Sequence, residues 1–172
     1  MKGLRKRVQL VLLVAVLSLA MMAITAEAAK VRITGTNQMG QTASRSILYP
    51  TDVPKHEMHQ FFRTDNCIKS SDPDYVGAKH SVYEQVDRIG GKGSEKGYFV
   101  DTLKNGDQVW GDFEATYTMT PKEKGGFELT GNGKGSWNGG TGKFNNVKGS
   151  FTFGINVTPE GGTFDWDAAV EY

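Results

Sequence analysis

The residues His56-Glu57-Met58-His59 bring together the donor types most directly suited to chemistry in this 172-residue chain. Two imidazoles around a thioether, with the single cysteine at Cys67, are the soft ligands that a copper site uses. Their spacing restricts that use. On a strand, residues three apart point to opposite faces, so His56 and His59 can share a metal only on a helical turn or in a loop. The zinc-protease pattern does not fit either, because it places the second histidine one residue later. Metal binding through His56 and His59 therefore stands as an alternative to their being ordinary polar strand and loop residues.

The carboxylates Glu57, Glu84, Asp87, Asp101, Asp112 and Glu114 all fall in segments that read as strands. A carboxylate aimed into a closed sheet would be desolvated and its pKa raised, which suits a general acid or base. Strand parity alone does not say which of them points inward. His59, Glu84 and Tyr117 are the candidate polar groups of a ligand-binding cavity, and no catalytic residue is assigned. No Gly-x-Ser-x-Gly elbow accompanies the available Ser, His and Asp residues, so a hydrolase triad has no support. Gly139-Gly140-Thr141-Gly142-Lys143-Phe144 resembles a phosphate loop only superficially. The required leading glycine and trailing Ser or Thr are Trp137 and Phe144 here, and a strand follows instead of a helix. No cofactor is expected. Trp110, Trp137 and Trp166 read as packing residues before they read as a sugar platform.

These side chains must be positioned by strands, because the spacing of apolar residues is close to two. Val109, Gly111, Phe113, Ala115, Tyr117 and Met119 alternate with mainly polar partners. Phe151, Phe153, Ile155 and Val157 do the same, as do Phe164, Trp166, Ala168, Val170 and Tyr172. Further strands are predicted at 31–35, 45–49, 56–63, 80–89, 96–103 and 126–136. Asn105-Gly106, Gly125-Gly126 and Pro159–Gly162 mark turns between them. Residues 64–79 are polar and read as a long loop, and a short helical turn fits Gly139–Asn145. Seven of the nineteen residues from Gly131 to Gly149 are glycine, which suits backbone pressed on backbone and a corner near 138–146. About eight strands joined by hairpins must hide their edges. The predicted fold is therefore all-β, a closed antiparallel barrel first and an open sandwich second.

Residues 1–28 read as a cleaved signal peptide. Lys2, Arg5, Lys6 and Arg7 precede an apolar run to Ile24, and Ala26-Glu27-Ala28 supplies the small-x-small cleavage pattern. A retained membrane anchor is the alternative. Residues 29–172 then form a single domain, periplasmic or secreted, with no stable membrane anchor after cleavage. Its removal takes four of the 20 Lys+Arg and one of the 19 Asp+Glu, changing the net charge from +1 to −2. With no basic block left, nucleic acid is not an expected partner. One cysteine allows no intramolecular disulfide, and Cys67 reads as a buried small hydrophobe or an exposed thiol.

Gly111-Asp112-Phe113-Glu114-Ala115-Thr116-Tyr117 and Gly139-Gly140-Thr141-Gly142-Lys143-Phe144, followed by Val147-Lys148-Gly149, resemble the allene oxide cyclase and dirigent superfamily. Val82–Arg88 is similar to the cyclase's early Tyr-Glu strand. The likeness spans about residues 80–157 and extends to small bacterial exported proteins without assigned activity. It implies an eight-stranded, calycin-like barrel with an apolar lumen, in a family that tends to form homotrimers. It also implies binding of a small apolar or amphipathic ligand, or cyclase- or isomerase-like chemistry, with Glu84 matching a lumen glutamate. The other expectation is a structural or interaction scaffold acting through the 64–79 loop or a trimer face.

Overall fold

Two-residue alternation of covered and exposed side chains runs through nearly every element of the computed structural model, which describes residues 30–171. The expected signal peptide at 1–28 lies outside the described residues. Nine strands follow in chain order: β1 (Val31–Gln38), β2 (Thr42–Leu48), β3 (His56–Ser70), β4 (Lys79–Ile89), β5 (Lys92–Thr102), β6 (Gln108–Pro121), β7 (Phe127–Gly140), β8 (Lys148–Thr158) and β9 (Gly161–Glu171). Three single 3-10 turns, at Pro73–Tyr75, Glu123–Gly125 and Gly142–Phe144, interrupt the connections. The last of these falls where a short helical turn is expected. The first exposes an error in the reading of 64–79 as one loop. β3 continues to Ser70, because Asp65 and Cys67 keep its inward alternation although they are not typical strand residues.

The strands form one antiparallel sheet with ring-like hydrogen bonding. From β3 to β9 each strand pairs with the next, and β9 pairs with β1 over Val31–Gln38. β1 then returns to the C-terminal part of β3, from Gly35↔Ser70 to Gln38↔Asn66, which closes a ring of eight strands. β2 is the ninth. It lies on the N-terminal part of β3, from Thr42↔Arg63 to Leu48↔Met58. Among the described residues, pairing along the ring satisfies most of the strands' backbone groups without a second sheet, and β2 pairs on one side only.

Glycines set how closely the inward faces approach. Gly133 and Gly135 on β7 face Phe153 and Phe151 on β8, and the rings lie where a glycine Cβ would be. Gly97 takes the Phe113 ring, Gly93 the Tyr117 ring and Gly35 the Trp166 ring in the same way. The glycine-rich stretch is thus a row of seats for aromatic side chains from neighbouring strands. Gly111 is tight for a different reason. It sits at a bulge between Trp110 and Gly111, and a Cβ there would overlap the Ser136 carbonyl oxygen. Backbone cannot yield as a side chain can, so Gly111→Ala is expected to destabilise the fold by about 1–3 kcal/mol. Urea denaturation checks this, and an unchanged midpoint would count against the packing described.

The core fills one end of the ring. Tyr75, from the first 3-10 turn, stacks on Trp137 at 5.6 Å between ring centroids and meets Trp166 at 5.5 Å and Phe144 at 5.7 Å. Phe144, Val109, Val147 and Val170 have no exposed surface. The two 3-10 turns that cap this end, Pro73–Tyr75 and Gly142–Phe144, are tied together by Lys143, whose Nζ lies 2.9 Å from Asp72 and 2.6 Å from Asp74. Residues 71–78 therefore plug the ring rather than hang from it. Cys67 is buried here with its thiol pushed up to about 11, mainly by burial, so it serves as a small packing residue.

Candidate functional site

At the opposite end the interior is hollow. A cavity of about 660 Å³ opens between the β1–β2 connection, the β8–β9 turn and the inward faces of β3 to β6. At the aromatic end the interior volume is only about 20 Å³. One half of the ring is filled by side chains, and the other half has room for a small molecule.

The polar wall of this cavity follows from strand register. Arg63 pairs with Val82, Glu84 with Gly97, and Glu95 with Ala115. Because each step moves two residues in one direction, Arg63, Glu84, Glu95 and Tyr117 are successive diagonal neighbours across β3, β4, β5 and β6. Diagonal neighbours on one face lie within reach of long side chains. The result is a single layer of four polar groups facing the cavity. Met39, Phe61, Val86, Leu129, Ile155 and Val157 supply apolar surface around it.

Arg63 is the hub of the layer. Its Nε donates to Asp65 Oδ1 at 3.0 Å and Oδ2 at 3.1 Å, and its Nη1 donates to Glu84 Oε1. Asp65 is fully buried and also accepts from the Gly40 N–H at 2.9 Å. Burial works against the Arg63 charge, but Glu84, Asp65 and Glu95 outweigh it and raise its pKa. Glu84 has 2% exposure, and burial raises its pKa although Arg63 pulls the other way. Its second oxygen, Oε2, is buried and has no hydrogen-bond partner among the described residues. Glu95 has no ion pair or hydrogen bond among the described residues. Burial first, then the Glu84 charge, push Glu95 up to about 8, so its carboxyl keeps a proton at neutral pH. Burial likewise holds Tyr117 protonated, with its pKa up to about 12.

Nearer the rim, Arg45 approaches His59 Nδ1 at 2.9 Å, and His59 Nε2 lies 2.9 Å from Glu57 Oε2. A guanidinium can only donate, so Nδ1 accepts and the ring is the neutral tautomer with its proton on Nε2. Burial lowers the His59 pKa, which agrees with that assignment. Glu57 also accepts from Arg88. Arg45 lies 5.2 Å over the Phe61 ring and has no carboxylate partner among the described residues.

No family model, curated protein or solved structure matches this chain.

Of the residues singled out in the sequence, His59, Glu84 and Tyr117 all line the one cavity. His56 does not join them. It lies on the other face of β3, 2.7 Å from Asp52 and 2.9 Å from Asp87. Its separation from His59 leaves the pair unsuited to one metal, and no group of three metal-ligating side chains is assembled among the described residues. Asp87, Asp112 and Glu114 face outward, whereas Glu57 and Asp101 face inward. Asp101 belongs to the filled end, where it lies 2.6 Å from His80 Nδ1. Sequence reading missed Arg63, Asp65, Arg88 and Glu95. Glu95 lies between Gly93 and Gly97 on the inward face, so the apolar alternation that marks a strand is erased around it. The regular two-residue recurrence Gly93, Glu95, Gly97, Phe99, Asp101 was the available signal.

The proton on Glu95 has a consequence for stability. The folded chain holds it up to about pH 8, whereas an unfolded glutamate gives it up near 4.5. Across that window the folded state binds more protons, so stability falls as pH rises. Glu95→Gln is expected to flatten this fall between about pH 5 and about pH 9. Denaturation midpoints at the two pH values provide the check, and a slope equal to that of the unmodified chain contradicts it.

Proposed function

We propose that this chain is an exported β-barrel that binds one small amphipathic molecule in the hollow, polar end of its interior. The observation that carries the reading is the cavity of about 660 Å³, apolar on one side and lined on the other by the Arg63, Glu84, Glu95 and Tyr117 layer. Its size is in the range of small-molecule sites, and a few converging polar groups within apolar walls are what such sites use to orient a ligand. An eight-stranded ring is also about the smallest that can either fill with side chains or hold one ligand. Export rests on the signal-like residues 1–28, and the place of action is the periplasm or the exterior. Membership of the allene oxide cyclase and dirigent-like superfamily is part of the same proposal, carried by the turn at Gly139–Phe144.

Cyclase- or isomerase-like chemistry is an extension of this reading. It is favoured by the presence of a protonated carboxyl at Glu95 beside Glu84, which carries an unpartnered oxygen. Such a pair can give and take a proton on one ligand. A scaffold role is favoured by a different observation. Phe62, Tyr83 and Tyr98 are direct cross-strand neighbours on the outer face of β3, β4 and β5, at 39%, 48% and 49% exposure. Such a row is the place for contact with further copies in a homo-oligomer, a trimer by the family resemblance.

The test is titration with a fluorescent amphiphile, comparing the unmodified chain with Leu129→Trp, whose indole would occupy the cavity. The expected result is one bound molecule per chain and at least about tenfold weaker binding by the variant. Equal binding by the two proteins overturns the reading.

A further inference from the structure

We propose that the hollow end takes an organic ammonium, a protonated amine on an apolar body, seated between Glu84 Oε2 and the Glu95 carboxyl. The inference rests on the reading of the cavity as a ligand site and names the chemistry of its ligand.

The first support is an unmet acceptor. The Glu84 side chain is 3% exposed and faces the cavity, and Arg63 occupies only its Oε1. Oε2 has no donor. A buried acceptor without a donor is costly, and a ligand N–H that fills it recovers that cost on binding. An ammonium offers three such donors with a charge to match. The second support is the local charge. Among the groups facing Glu95, Arg63 brings one positive charge against Asp65 and Glu84. Tyr117 is neutral, and His59 is neutral by its hydrogen bonding. Within the layer Arg63 and Glu84 cancel, and Asp65, which the same guanidinium pairs from behind, leaves one carboxylate charge uncompensated before Glu95 ionises at all. Glu57 pairs with Arg88 at the rim, and Arg45 lies outside the layer on His59 and the Phe61 ring.

The third support is the wall. Val86, Leu129, Ile155 and Val157 surround the polar layer and would cover an alkyl or aryl body. A small inorganic cation gains nothing from such walls. Glu84 and Glu95 also fall short of the ligand number that a divalent ion requires. A carboxylate ligand would have to place its charge beside Glu84 or stay at the rim with Arg45.

Seating a cation beside Glu95 also removes the reason for its proton. Binding near neutral pH should therefore release a proton from Glu95. That makes the affinity rise with pH until Glu95 is ionised in the free protein.

The experiment is isothermal titration of the purified chain with n-octylamine, n-octanol and sodium octanoate, in buffers of different ionisation enthalpy. The expected outcome is octylamine binding at least about tenfold tighter than either other probe, with a heat that depends on the buffer. Glu95→Gln should abolish the buffer dependence. Glu84→Gln should weaken octylamine at least about tenfold and octanol by much less, with circular dichroism and the denaturation midpoint showing that the variant is folded. Octanoate or octanol binding as tightly as octylamine overturns the inference and leaves the ligand-site reading standing. Octylamine binding unaltered by both substitutions overturns it too. Failure of all three probes to bind removes the inference and the reading together.

Discussion

Replacing Arg63 by methionine is expected to destabilise the fold by about 3–5 kcal/mol, the largest effect of any single substitution at the cavity. The magnitude comes from what is left behind. Asp65 is fully buried and the Glu84 side chain is 3% exposed, and both are paired through the Arg63 guanidinium. Without it, two carboxylates share a dry site with no cation, and they can relieve the cost only by taking up protons. The loss should therefore be greatest at high pH and smaller in acid. Arg63→Lys keeps the charge but not the fork that serves both carboxylates, so it should recover only part of the stability. Denaturation midpoints across pH check both statements. A methionine variant as stable as the unmodified chain would mean that the ion network is not formed.

Phe144→Ala is expected to cost a similar amount, about 3–5 kcal/mol, for a different reason. Phe144 has no exposed surface and closes the filled end against Tyr75 and Trp137. Truncation leaves a void between rings held by the caps, and the tie from Lys143 to Asp72 and Asp74 limits how far they can collapse. This end is separate from the cavity. Ligand affinity should therefore survive where the variant remains folded, whereas Arg63→Met should lose stability and also change the affinity, because it removes the positive charge of the polar layer. Parallel denaturation and titration of the two variants separate the plug from the site.

Much of the fold was legible because it depends on apolar alternation. Strands β6, β8 and β9 are marked by runs such as Phe151, Phe153, Ile155 and Val157, and the glycine-rich corner does end in Phe144 buried at the plug. The sheet is all-β and antiparallel as expected, with ring-like hydrogen bonding and one strand more than the predicted eight. The extra strand, β2, has almost every side chain exposed, so no hydrophobic pattern defined its role.

The candidate site was legible only in part. Tyr117 and Glu84 stand among apolar neighbours whose parity made their strands visible. Arg63 and Asp65 are inward residues of a type that ordinarily faces water, so the alternation of β3 reads as if it stops at Arg63. They pair with each other two residues apart on β3, but their burial also depends on Glu84 and the Gly40 N–H, which are distant in the chain, and a linear sequence does not contain that information. Glu95 is hidden for the reason given by its glycine neighbours: the aromatic rings that fill those seats come from β6.

The central claim is that the hollow end is occupied in the working protein. Native mass spectrometry of the chain purified from its own cells, beside the Leu129→Trp variant prepared identically, tests it most directly and also counts the subunits. The predicted result is one small molecule per chain in the unmodified protein and none in the variant. A bare protein mass in both, or the same adduct in both, would contradict the account.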